Sequence, residues 1–142
     1  MTSADVQAFA AERPGITAKC LDDVRWGRRD WGDAGEDPDC FEMLPEQRWS
    51  GLWEDGWEWT NFCAEPAKQC DWMAKSGTWL TFAEGAYPKG EVPDGTYRIE
   101  FIGRRTKIPG QFGHDGAYEH LMVVDRLISI RTIPGEEYQK RY

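Results

Sequence analysis

Histidine is nearly absent from this chain: there are two in 142 residues, His114 and His120. A zinc-type centre takes three or four placed ligands, so these two imidazoles cannot build one without carboxylate or thiolate help. Cations are also scarce, with 17 Lys and Arg against 25 Asp and Glu, a formal charge of −8 and a pI near 4.8. That balance disfavours nucleic acid and an anionic membrane as main partners, because both reward clustered Lys and Arg. A basic protein is the natural complement, and the oligomeric state stays open. No stretch is apolar for the length that spans a bilayer, and Met1 to Val6 has neither the basic start nor the apolar core of a secretory leader. The expectation is therefore a soluble, cytoplasmic chain. Internal repeats, low-complexity tracts and interdomain linkers are missing, as are G-x-S-x-G, P-loop, dinucleotide and H-E-x-x-H motifs. No catalytic residue and no cofactor is assigned, and a non-enzymatic role is expected.

Cysteine is sparse too. Cys20, Cys40, Cys63 and Cys70 permit two disulfides in three connectivities, and spacing does not choose among them. With no secretion signal the expectation is reduced thiols. Zinc is disfavoured because no pair has the short C-x2-4-C spacing of a structural site.

What is present is one domain over residues 1–142, long enough to bury a core. Thr2 to Glu12 reads as an amphipathic helix, with Thr2 as cap, Asp5 at its positive end, and Val6, Phe9 and Ala10 on one face. Arg13-Pro14-Gly15 stops it, closing a helical segment over residues 1–15. Residues 16–46 form an acidic region. There Ile16 to Leu21 reads as a strand, and Asp22 to Leu44, polar and punctuated by Gly27, Gly32, Gly35 and Pro38, reads as a long ordered loop of the kind that is functional or mobile. Residues 47–133 are β. Trp49, Gly51 and Trp53 alternate, Glu54-Asp55-Gly56 turns, and Trp57, Trp59, Asn61 and Cys63 alternate again, a hairpin pattern whose tryptophans belong in a core. A short helical or irregular piece spans Pro66 to Lys75. Further strands are expected at Thr78–Phe82, Thr96–Ile102 and Tyr118–Ile133, the last bulged or bent at Asp125-Arg126, where its alternation breaks. Pro134-Gly135 ends it, and residues 134–142 are a loose tail. The fold class is mainly β: a small five-stranded OB-like barrel with a short N-terminal helix and a long acidic loop.

The run Pro109-Gly110-Gln111-Phe112-Gly113-His114-Asp115-Gly116-Ala117-Tyr118, followed by a Val-rich strand, resembles the closing segment of small bacterial OB-like domains of unknown function, some of them lipoproteins. The Trp49–Phe62 hairpin and the Trp79 strand are similar as well, so the likeness covers roughly residues 47 to 133. It implies a fold and carries no catalytic residue. Phe112 stands where the family pattern has a tyrosine, and Cys20 lacks a preceding lipobox, so no lipid anchor is implied.

Acidity is concentrated in the first half: residues 1–71 hold 16 acidic and 7 basic side chains, and residues 22–59 hold six of the eight tryptophans. A loop cannot bury both Trp26 and Trp31 easily, so at least one is expected to be an exposed anchor of the kind found at binding hot spots. Trp26, Trp31, Asp30, Asp33, Glu36 and Asp37 are the candidate partner-binding set. They suit a small acidic binding module, of the inhibitor or immunity type, that neutralises a basic partner such as a toxin or nuclease. The same segment does not match the ligand order of an EF-hand loop. The alternative is a metal- or small-ligand-binding protein or enzyme built on His114, Asp115, Tyr118 and His120, with Glu119 in support. The bland reading of that loop is a glycine-determined turn with structural histidine hydrogen bonds. Arg104, Arg105, Lys107 and Arg126 are the one basic concentration, expected to pair with the chain's own carboxylates, Asp125 included. Tyr97 and Phe101 are the aromatics a nucleic-acid face would need beside them.

Overall fold

Strand β1 (Gln47–Gly56) carries Trp49, Leu52 and Trp53 and is hydrogen-bonded on both edges, to β2 (Trp59–Ala64) and to β4 (Gly95–Arg105). In this computed structural model, which describes residues 2–57, 59–68, 70, 77–90 and 92–133, the sheet continues through β3 (Thr78–Phe82) and β5 (His120–Thr132). The strand order β1-β2-β3-β5-β4 closes into a barrel, with β3 and β5 parallel and the other neighbours antiparallel. This is the expected mainly-β, five-stranded, OB-like architecture. The interior is aromatic and aliphatic: Trp53, Phe62, Leu80, Tyr97, Ile99, Phe101, Met122 and Val124 form one buried cluster. Tyr97 and Phe101 are thus interior residues and offer no stacking surface.

The hairpin reverses two residues later than the sequence suggests. Gly56 pairs with Trp59, so the turn falls beyond Gly56, and Trp57, expected in the core, is 84% exposed. Strand β4 runs on to Arg105, past the expected end at Ile102, and β5 begins at His120, two residues after Tyr118. The bulge expected at Asp125-Arg126 is present. Ile102 pairs with Arg126 and Gly103 with Val124, leaving Asp125 unpaired, and a second shift leaves Ile128 unpaired. Before the bulge β5 is buried on both faces, which is why Leu121, Met122, Val123 and Val124 form a continuous apolar run.

The N-terminal helix α1 (Ser3–Glu12) forms as expected: Thr2 caps it, Asp5 answers with the reciprocal bond of a capping box, and Val6 and Phe9 are buried. Two expectations for the acidic region fail. Ile16 to Leu21 is no strand, because Thr17 caps a second helix, α2 (Ala18–Arg25), whose Cys20 and Val24, four apart, point into the core. Asp22 to Leu44 is no loop either. It continues α2, then forms α3 (Trp31–Ala34), capped by Asp30, and a 3-10 turn (Pro38–Cys40), capped by Asp37. These pieces are short, so their periodicity is faint in sequence, and part of the acidity that looked like loop charge is capping chemistry. A bridge from Ile16 to Phe41 ties the two ends of the region together, and one from Met43 to Thr106 fastens it next to the end of β4. A second core lies beneath it, where Phe9, Cys20, Val24, Ala34, Cys40 and Phe41 pack with Phe112, Tyr118 and Leu121.

The expectation of reduced thiols is also overturned. Cys20 is bonded to Cys40 and Cys63 to Cys70, and no cysteine among the described residues is free. The first bond joins α2 to the 3-10 turn inside the second core, a proximity that only the helical packing creates. The expected piece at Pro66–Lys75 lies largely outside the described residues, as does the tail 134–142.

Two outcomes follow from this packing. A Cβ at Gly103 would sit 2.2 Å from the Val123 carbonyl oxygen and 2.9 Å from the Phe101 ring. Gly103→Ala should therefore lower unfolding free energy in urea by about 2 kcal/mol or more, the scale of core overpacking. Removing the Cys20–Cys40 bond, which spans 20 residues, by a double Ser substitution should cost about 3 kcal/mol in the same assay. Thiol titration of the denatured, unreduced protein should return no free thiol.

Candidate functional site

The helical layer sets its two tryptophans outward. Trp26, at the C-terminal end of α2, is 67% exposed, and its indole N–H donates to Asp22 Oδ1 at 3.1 Å. Trp31 opens α3, is 47% exposed, and rests on Phe9 with ring centroids 5.9 Å apart. Together with Asp5, Glu12 and Arg13 it lines a cavity of about 280 Å³ between α1 and α3. The Arg13 guanidinium lies 4.7 Å from the Phe9 centroid, and burial lowers its pKa from the usual arginine value.

The carboxylates of this layer divide by what they hold. Asp30 accepts from the Gly32 N–H and Asp37 from the Asp39 N–H, as caps, and Asp37 also receives Arg29. Asp22 and Asp23 share Arg28, and Lys19 joins Asp23, so hydrogen bonds from Arg28 and Lys19 hold the Asp23 carboxyl below its usual range. Asp33 and Glu36 are exposed and have no salt bridge among the described residues. The structure thus sets Trp26 beside Asp22, which also holds Arg28, and Trp31 among Asp5, Glu12 and Gly32.

Glu36 leads to a second feature, which the sequence did not reveal. At the end of the barrel where β1 finishes, a groove of about 550 Å³ is walled by Trp53, Phe82 and Tyr87, with Asp55, Glu84 and Glu36 along its sides. Trp53 meets Phe82 edge-on at 5.2 Å, and Phe82 meets Tyr87 likewise at 5.1 Å. The Trp53 indole N–H is occupied by Thr60 Oγ1 at 2.7 Å, which fixes the ring as floor. Asp55 lies opposite Gly95 on β4, next to Asp94 in sequence. Burial, reinforced by the Asp94 charge, raises the Asp55 pKa to about 6. Burial and the same two carboxylates also raise that of Tyr87. In the sequence, Asp55 reads only as a turn residue. Its partial burial comes from the hairpin reversing beyond Gly56 and from the 83–87 turn folding over the barrel end.

The histidine segment is organised differently. Gly113 and Gly116 take positive φ, 72° and 65°, around a 3-10 turn that holds His114. Of Asp115 only the backbone is described. Tyr118 is buried between Trp59 and Trp79, at 5.8 and 5.1 Å, and burial pushes its hydroxyl up to about 12. His120 Nδ1 is 2.9 Å from Thr106 Oγ1, which also accepts the Leu121 N–H, and in a neutral ring the tautomer decides whether the hydroxyl or the imidazole donates. Burial, with the Arg105 charge, lowers the His120 pKa and favours the neutral ring. Among the described residues no three of His, Cys, Asp and Glu converge as a metal site. Two of the four basic residues pair with carboxylates as expected: Arg104 holds Asp125 in a two-bond fork at 2.9 and 2.8 Å, and Lys107 reaches Glu42 at 3.1 Å, whereas Arg105 donates to the Thr106 carbonyl and Arg126 is in no salt bridge among the described residues.

No family model, curated protein or solved structure matches the chain. No helix among the described residues is long and apolar enough to cross a membrane.

Asp55 yields a pH prediction. Its folded pKa lies above the unfolded value of 3.8, so the folded state binds the extra proton, and stability contributed by this group rises as pH falls from about 6 toward 4. Asp55→Asn should raise the melting temperature at pH 7.5, and the gain should shrink toward pH 4.

Proposed function

We propose that this protein is a small acidic binding module that recognises a basic protein partner, of the inhibitor or immunity type. The observation that carries the reading is the pair of solvent-exposed tryptophans, Trp26 at 67% and Trp31 at 47%, both borne by the acidic helical layer. Large exposed aromatic rings are costly on a surface without a partner, and an apolar anchor inside a charged rim is the usual anatomy of an interface. Net charge of −8 adds long-range attraction for a positive surface. The internal cross-link between Cys20 and Cys40 stiffens the layer that bears both rings, which lowers the ordering cost of binding. The two disulfides favour residence in an oxidising compartment over the cytoplasm.

The reading is tested by affinity capture from native lysate at low and high salt, with wild-type, Trp26→Ala and Trp31→Ala baits compared in parallel. A basic protein should be retained by the wild type, released at high salt and depleted on both variants. Measured with that partner, Trp26→Ala should weaken binding by about 1–4 kcal/mol, and thermal stability should change by no more than about 0.5 kcal/mol. Trp31→Ala should weaken binding similarly, with an added stability cost from lost Phe9 packing. Equal capture by all three baits would overturn the assignment of this layer.

A further inference from the structure

The barrel-end groove has a chemistry of its own. Trp53, 1% exposed, is its buried floor, and Phe82 and Tyr87 form the accessible aromatic wall; Tyr87 is 50% exposed, so the groove is open to solvent along that wall. Its polar groups are carboxylates: Asp55 partly buried, Glu84 and Glu36 along the sides, and Asp94 beside Asp55. Among the described residues none of these four is in a salt bridge, although the chain pairs many of its other carboxylates. An aromatic cavity that keeps an uncompensated carboxylate half-buried is destabilised by that charge until a cation enters.

We infer that this groove is a receptor for the guanidinium of a peptide arginine. A planar, weakly hydrated guanidinium stacks on an aromatic wall and forks onto a carboxylate at once, which a compact, strongly hydrated ammonium does less well. The cavity of about 550 Å³ is of ordinary ligand size and exceeds what one side chain fills, leaving room for the flanking backbone. A free amino acid is disfavoured because its α-carboxylate would face Glu36, Glu84 and Asp94. The groove takes Glu36 from the helical layer but neither Trp26 nor Trp31, so the inference does not rest on the proposed function.

Asp55 makes the binding pH-sensitive. The charged or titratable groups around it are Asp94, Tyr87, Glu84 and Glu36. Tyr87 is neutral over the working range because its pKa is raised, and Asp55, at about 6, is the carboxylate that changes charge between pH 5 and 7.5. The cation requires the ionised form, so affinity should fall about tenfold on going from pH 7.5 to pH 5.

The test is a titration of the intact protein, followed through the backbone amide resonances of Glu84, Gly85 and Tyr87. The probes are N-acetyl-arginine amide, N-acetyl-lysine amide, N-acetyl-citrulline amide and free arginine. The capped arginine should give saturable shifts, the lysine and free arginine weaker ones, and the neutral citrulline none. Asp55→Asn should lower the affinity for capped arginine about tenfold and abolish its pH dependence. Tyr87→Ala, at a half-exposed position that folding tolerates, should weaken binding without altering the pH profile. Equal responses to citrulline, to lysine or to free arginine would overturn the assignment, as would no response to capped arginine. A failure here leaves the capture experiment with Trp26→Ala and Trp31→Ala unaffected.

Discussion

The barrel depends on the contact between β4 and β5, where two backbones approach so closely that a side chain on one of them is excluded. Gly103 sits against the Val123 carbonyl and the Phe101 ring, and immediately across from it Asp125 is left out of the ladder. The bulge bends β5 so that its first half lies parallel to β3 while its second half follows β4 alone. The unpaired Asp125 is held by the two-bond fork of Arg104, so the irregularity is stabilised by the charge next to it.

From this closure the two faces of the sheet acquire different tasks. The inward face becomes the Trp53–Phe101–Met122 core, and the outward face of β3 and early β5 becomes a shelf for Trp79 and Leu121. The N-terminal helices settle on that shelf with Phe112 and Tyr118 as intermediaries. Asn61, buried on the short β2–β3 seam, accepts the Thr78 N–H where backbone pairing runs out. The layer that bears Trp26 and Trp31 is thus anchored through a core separate from the barrel interior and tightened by its own disulfide. A rigid layer on a rigid barrel places both exposed rings at low entropic cost, which is what the proposed recognition requires.

The acidity divides into structural and available charge. Asp30 and Asp37 close helix ends, Asp22 and Asp23 hold Arg28, and Asp125 holds Arg104. The exposed Asp33 and Glu36, the half-buried Asp55, and Glu84 and Asp94 are among the charges left to act outward, and Glu36 borders the barrel-end groove from the helical side. Net charge alone sets the sign of the long-range field, whereas the distribution of ion pairs separates carboxylates that are paired within the chain from those that are not.

Sequence by itself determined the barrel. Alternation in Trp49–Trp53 and Thr78–Phe82, turn residues between strands, the break at Asp125 and the cap at Thr2 are local signals, and each reads through because period, turn and cap are set by neighbours in the chain. That at least one of Trp26 and Trp31 is exposed was legible for a related reason: a short polar segment has too little apolar surface to cover two indoles. What only the tertiary structure decided was set by distant contacts. The helices at 18–25 and 31–34 are too short to declare a period and exist because Cys20, Val24 and Ala34 find Phe41 and Phe112. The disulfide pairing follows from that same packing. The groove required the hairpin to reverse beyond Gly56, exposing Trp57 and half-burying Asp55. It also required Tyr87 to fold back onto Phe82, and no spacing in the chain specifies that Asp55, Glu84 and Glu36 will share a cavity.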